Sequence, residues 1–151
     1  MLSPSLEDYL EEIYRFLDQQ GYVRITDIAE KLNVSLPSVT KAVQKLGKRD
    51  YLEYQRYKNI TLTEKGKKIG NFLVTRNKLL REFLLVIGSD CNKEKEAEAM
   101  EHYLSQKTVE AITSLVEFFK ENPKYQQELL DFQDEFKIER SSQNDFQDDL
   151  K

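Results

Sequence analysis

Residues 25–46 read ITDIAEKLNVSLPSVTKAVQKL, and how that run divides decides the fold. Ile28, Ala29 and Leu32 repeat at helical spacing and give one apolar face. Asn33 follows, a residue that tolerates the left-handed conformation closing a helix. Ser35 then offers a cap for a second helix. Pro37 falls in that helix's first turn, where a missing N–H costs little. Val39, Val43 and Leu46 turn inward at the same period. Ser38, Thr40, Lys41, Gln44, Lys45 and Lys48 are left facing out. Two short helices, a tight turn and a polar outer face predict a helix-turn-helix whose second helix reads DNA. Any two short amphipathic helices sharing a polar turn look similar, so the flanks must decide.

Upstream, Ser3 and Ser5 offer caps and Pro4 suits a helix start. Leu6, Tyr9, Leu10, Ile13, Phe16 and Leu17 keep helical spacing to about Gln20, and Gly21 ends the run. Residues 22–25 are short and β-prone, and Thr26 reads as the cap of the motif's first helix. Downstream, residues 51–55 and 58–62 predict two strands joined at Arg56-Tyr57, with alternation clearest in Ile60-Thr61-Leu62-Thr63. A basic hairpin directly after a reading helix is a wing. Plain sheet structure is the alternative, but a tip carrying Arg56, Tyr57 and Lys58 favours contact with phosphate or the minor groove.

Thr63 reads as the cap of a long helix ending near Gly88. Gly66 and Gly70 leave one face bare, so another helix can approach it. Leu73, Leu79, Leu80, Phe83, Leu84 and Ile87 make a surface broad enough for both core and subunit contact. Further helices are expected at about 93–104, 108–121 and 124–138, with a frayed acidic tail at 140–151. The expected organisation is therefore mainly α with a small β-wing. A winged helix-turn-helix spans 1–63, a helical domain 64–139 (with 64–87 as the linking helix), and the tail 140–151. No internal repeat is visible.

The 151 residues, 39% hydrophobic and 33% charged, suit one domain or two small ones. No apolar run reaches the length of a membrane span and no signal-peptide pattern opens the chain, so the expected location is the cytoplasm. Cys91 is the only cysteine, which excludes an internal disulfide framework and reads as an incidental thiol. Net charge is −4, which argues against nucleic acid until its distribution is read. Between Lys41 and Lys68 there are nine Lys or Arg against three acids, and beyond Gly70 the chain is acidic. A basic patch on an acidic body can hold a polyanion locally.

A second constellation is acidic. Asp8 and Glu11 lie on one side of the first helix, and Glu98, Glu101 and His102 on one side of a later one. Brought together they would form an oxygen-rich cage with one nitrogen. That composition suits Mn²⁺, with Fe²⁺, Co²⁺, Cd²⁺ and Zn²⁺ as competitors. On spacing alone these residues read more readily as solvated faces, a helix-start acid and a surface histidine.

The motifs SLEDYLEEIY, SVTKAVQKL, LTEKGKKIG and EAMEHYLS, in this order, resemble the diphtheria toxin repressor family, and most of all its short manganese-responsive branch. The resemblance runs from about residue 4 to about residue 119. It implies a homodimeric, metal-activated repressor acting on a palindromic double-stranded DNA operator, with control of metal-uptake genes and no membrane partner. It implies metal ligands at Asp8, Glu11, Glu98, Glu101 and His102, and no third, SH3-like domain for a chain of this length. Aspartate at position 8, where the iron branch has methionine, points to the manganese branch.

One position departs from the branch pattern. Asn77 stands where the manganese branch has a histidine, and an amide oxygen is the weaker ligand. Altered but retained metal binding is expected. The alternatives are a site reduced to Glu11, Glu98, Glu101 and His102, or a metal-independent winged-helix regulator. In the reading helix, Pro37, Ser38 and Lys41 are expected at base edges, and Thr40, Gln44, Lys45, Lys48 and the wing at phosphates, with Ser35 at the helix start. A metalloenzyme is disfavoured: Glu98 and His102 are four apart rather than three, and no HExxH, P-loop or nucleophile motif is present.

Overall fold

A computed structural model describes residues 2–54 and 59–148, with side chains described up to Lys137. The chain forms two compact units, Met1–Arg76 and Asn77–Lys151, whose division falls inside one long helix.

The first unit opens with α1, Pro4–Gln20, which buries Leu6, Tyr9, Leu10 and Ile13. Gly21 closes α1 at φ 79°, a conformation that suits a residue without Cβ, and its N–H donates to Leu17 O at 3.0 Å. Residues 22–24 form no strand, contrary to their β-prone composition. Tyr22 stays exposed with the Arg24 guanidinium 5.4 Å from its ring centre. An isolated four-residue run has no ladder partner, so its propensity decides nothing.

The motif follows as α2, Ile25–Leu32, and α3, Leu36–Lys48. Thr26 is not the cap expected. Arg24 occupies the cap position, and the Asp27 carboxylate accepts the Arg24 backbone N–H at 2.9 Å. Asn33 closes α2 in the left-handed region at φ 52°. Ser35 caps α3 by accepting the Ser38 N–H at 3.3 Å.

After α3 come β1, Leu52–Glu53, and β2, Thr61–Leu62, paired antiparallel with Leu52 opposite Leu62 and Glu53 opposite Thr61. Both strands are shorter than the alternation suggests. The expected wing tip at Arg56, Tyr57 and Lys58 lies outside the described residues. Leu10, Ile13, Ile28, Val39, Val43, Leu46, Ile60 and Leu73 are all 2% exposed or less and form one core. Its members come from α1, α2, α3, the hairpin and the next helix, and α3 itself packs mainly on α1, α2 and β1.

That next helix is α4, Glu64–Val86. Thr63 starts it: its hydroxyl oxygen accepts the Gly66 N–H at 3.0 Å and its O–H donates to Asp50 O at 2.8 Å. The two glycines of α4 have different neighbours. A Cβ on Gly66 would collide with the Tyr51 carbonyl, and one on Gly70 with the Tyr14 side chain of α1 at 2.7 Å. Only Gly70 therefore admits a second helix. Gly66 admits the backbone leading into β1.

The second unit contains the later part of α4 with α5, Lys93–Glu101, α6, Gln106–Glu121, and α7, Pro123–Asp148. Asn92 and Ser105 cap α5 and α6 by accepting the N–H groups of Lys95 and Thr108. Leu80, Leu84, Ala97 and Val116 lie at the centre of a separate core. Gln126 and Gln133 of α7 donate to the Val86 and Ile87 carbonyls at 3.3 and 2.8 Å, satisfying acceptors at the end of α4. α7 continues past Ile138, where the apolar pattern stops, because no Pro or Gly interrupts the polar run that follows. Among the described residues no helix is long and apolar enough to cross a membrane.

Candidate metal centre and nucleic-acid face

The outer face of α3 is solvent-open. Pro37, Ser38, Lys41, Gln44, Lys45 and Lys48 are exposed, while Val39, Ala42, Val43 and Leu46 are buried behind them. Three expected contact residues are partly occupied by local hydrogen bonds. The Thr40 hydroxyl donates to Leu36 O at 3.1 Å, and the Ser38 and Ser35 hydroxyls are hydrogen-bonded at 2.8 Å. Leu36, in the first turn of α3, is 49% exposed. The periodicity reading had no place for it, because an apolar residue at a helix start fits neither the inner nor the polar outer face. Lys65, part of the basic run, is tied down: its ammonium donates to Arg49 O at 2.7 Å and lies 4.1 Å from the Tyr51 ring centre. That contact secures the turn between α3 and the hairpin.

The two expected acidic ligands of the first unit, Asp8 and Glu11, sit on α1. Asp8 is partly buried and Glu11 is buried at 5% exposure. Glu11 Oε1 accepts a hydrogen bond from Arg15 Nη2, and Arg15 Nε lies 3.6 Å from Glu12 Oε1. A second ion pair stands nearby in sequence, with Arg76 Nη2 donating to Glu7 Oε2 at 2.8 Å. Arg76 is 7% exposed and lies 5.6 Å from the Phe72 ring centre. Neither arginine stood out in the sequence. The spacing of Arg15 from Glu11, one helical turn, was the available signal.

The second unit brings three of its four expected ligands together. Glu101 is 1% exposed, its Oε2 accepts from Asn77 Nδ2 at 3.2 Å, and its Oε1 lies 3.7 Å from His102 Nε2. His102 follows Glu101 directly as the C-cap of α5, with right-handed helical backbone. Glu98, one turn earlier, is exposed. A carboxylate so deeply buried needs positive charge or several donors. Carboxylate oxygen, amide oxygen and imidazole nitrogen are the donors of a hard-to-borderline divalent cation, so the residues present fit such an ion.

A buried carboxylate–imidazole cluster carried with an open reading helix defines a DNA-binding regulator with a cation-ready helical domain. Comparison with known proteins gives that class its family. Residues 1–60 match the iron dependent repressor N-terminal DNA binding domain, and residues 63–130 the iron dependent repressor metal binding and dimerisation domain. The HTH-type transcriptional regulator MntR of Shouchella clausii (strain KSM-K16) is 45% identical over 150 residues, covering 99% of both chains. The solved manganese regulator SloR superposes with a TM-score of 0.68 at 29% identity, over 78% of this chain and 55% of that one. The structure of ScaR with bound Zn²⁺ gives 0.62 at 29% identity, over 75% and 54%. This chain thus spans about half the length of those two solved chains.

The chain belongs to the diphtheria toxin repressor family, in its manganese transport regulator branch. It is a metal-dependent transcriptional repressor with a DNA-binding and a dimerisation domain, and not an enzyme. The expected fold class, a winged helix-turn-helix followed by a helical domain, is borne out.

Proposed function

We propose that this repressor is a cytoplasmic, manganese-responsive homodimer that binds a palindromic operator and controls metal-uptake genes. The observation that carries the metal reading is the buried Glu101 carboxylate with the Asn77 amide and the His102 imidazole against it. Asp8, Glu11, Asn77, Glu98, Glu101 and His102 are the proposed ligands, with Fe²⁺, Co²⁺, Cd²⁺ and Zn²⁺ as competitors for Mn²⁺. When bound, the ion supplies the positive charge that lets these acids share one centre. Glu101 and His102 would hold the ion, and the Asn77 side-chain N–H orients the Glu101 carboxylate.

The rest of the function belongs to α3 and the wing. Pro37, Ser38 and Lys41 would meet base edges, with Ser35 at the start of the reading helix. Thr40, Gln44, Lys45, Lys48, Arg56, Tyr57 and Lys58 would hold phosphates. Two such helices in a dimer must reach successive major grooves, about 34 Å apart. The family's established dimerisation domain makes that symmetric placement the natural one.

Calorimetric titration of the full chain with Mn²⁺ tests the centre. Saturable binding that weakens on Glu11→Ala is expected. No heat up to millimolar Mn²⁺ would remove manganese from the reading. A gel shift with excess chelator tests its purpose: operator binding should collapse, and undiminished binding would mark a regulator uncoupled from metal.

A further inference from the structure

One carboxylate assigned to the metal already has a cation on it. Arg15 lies one turn after Glu11, and helical side chains lean towards the N-terminus, so an arginine there reaches back over the earlier residue. Arg15 Nη2 donates to Glu11 Oε1. The two side chains are 24% and 7% exposed, so bulk salt screens the pair only partly. Glu12 Oε1, 3.6 Å from Arg15 Nε, helps hold the guanidinium in place. The second unit repeats the spacing. Arg81 is one turn after Asn77 and partly buried, and its Nε has no hydrogen-bond partner among the described residues. α1 and α4 thus each carry an arginine one turn after a proposed ligand.

We propose that Arg15 is a built-in competitor of the divalent cation for Glu11, and so sets the metal concentration at which the repressor loads. The inference rests on the manganese reading above. A guanidinium and a divalent ion repel each other, so Glu11 cannot serve both fully. In the metal-free protein the guanidinium holds the buried Glu11 carboxylate in charge balance. Metal binding must loosen that pair. Arg15 therefore acts with opposite signs on two observables: it stabilises the metal-free chain and weakens its hold on metal. A purely structural arginine would not separate the two.

The test is Mn²⁺ affinity of the full chain, read from the electron paramagnetic resonance signal of free Mn²⁺. It is run on wild type, Arg15→Ala, Glu11→Ala and the double variant. Arg15→Ala should tighten binding about tenfold, the scale of one hydrogen-bonded charge pair. It should have no effect when Glu11 is already alanine. The melting temperature of metal-free Arg15→Ala should fall, while its rise on adding Mn²⁺ should exceed that of wild type. Should Arg15→Ala fail to fold, Arg15→Lys replaces it: loss of the fork with retention of charge should give a smaller tightening, and no change there overturns the proposal. Unchanged or weaker binding by Arg15→Ala, or equal tightening without Glu11, also overturns it. If wild type binds Mn²⁺ and Arg15 variants bind identically, only the competition fails. If neither wild type nor variant binds, the manganese reading fails and takes this proposal with it.

Discussion

Asn77 is the position at which the sequence departs from the pattern its resemblance implies, and its placement gives that departure a physical meaning. Its side-chain N–H is bonded to the buried Glu101, so the amide supports one proposed ligand while standing at the position of another. Asn77→His is expected to tighten Mn²⁺ binding, because imidazole is the stronger donor to transition metals. Asn77→Leu is expected to weaken it and to destabilise the metal-free chain, by leaving Glu101 short of a donor. Calorimetry and thermal melts read both. Gly66 makes a second residue-scale prediction. A methyl there meets the Tyr51 carbonyl, which is backbone and cannot swing away. Gly66→Ala should therefore lower stability by about 1–3 kcal/mol in urea unfolding, although alanine is the better helix former. Wild-type stability in that variant would mean the hairpin can move off α4.

At the scale of elements, α3 shows how a reading surface is made. Its inner residues are buried in a core shared with α1, α2 and the hairpin, so the outer lysines have a rigid base. Lys48 is exposed in the last turn, where a phosphate contact carries charge but no base information. Lys48→Ala should weaken binding to every DNA sequence alike and lower the salt slope by about one. A loss confined to one operator would contradict the phosphate assignment. The periodic residues of α3 and its serine cap were legible in the sequence, because both are local signals. The start of α2 was not. Thr26 has the better capping chemistry, yet the helix begins at Ile25, since the Asp27 side chain satisfies the Arg24 N–H instead. The same limit applies to Glu98 and Glu101. They share a helix side by spacing, but one is exposed and the other nearly inaccessible, and packing alone separates them.

For the molecule as a whole, the central expectation is linkage. If divalent metal raises operator affinity, operator must raise metal affinity by the same factor. Mn²⁺ titrations with and without operator, set beside operator titrations with and without Mn²⁺, should give equal ratios. A shift in only one direction would show that the two binding events do not share one equilibrium. Light scattering of the 17.8 kDa chain should return about twice that mass, as the dimerisation domain requires.

By itself the sequence determined the order of elements and the face of α3 that looks outward, while the proposed ligands came from the family resemblance and not from spacing. The first two rest on residues close together in the chain, where helical period and capping chemistry act directly. Tertiary structure decided which acid is buried, that Arg15 is bonded to Glu11, and that the two glycines of α4 face a backbone carbonyl and a tyrosine rather than one common helix. Those outcomes depend on how much water and which charges remain around a side chain after packing. Spacing along the chain carries no measure of either.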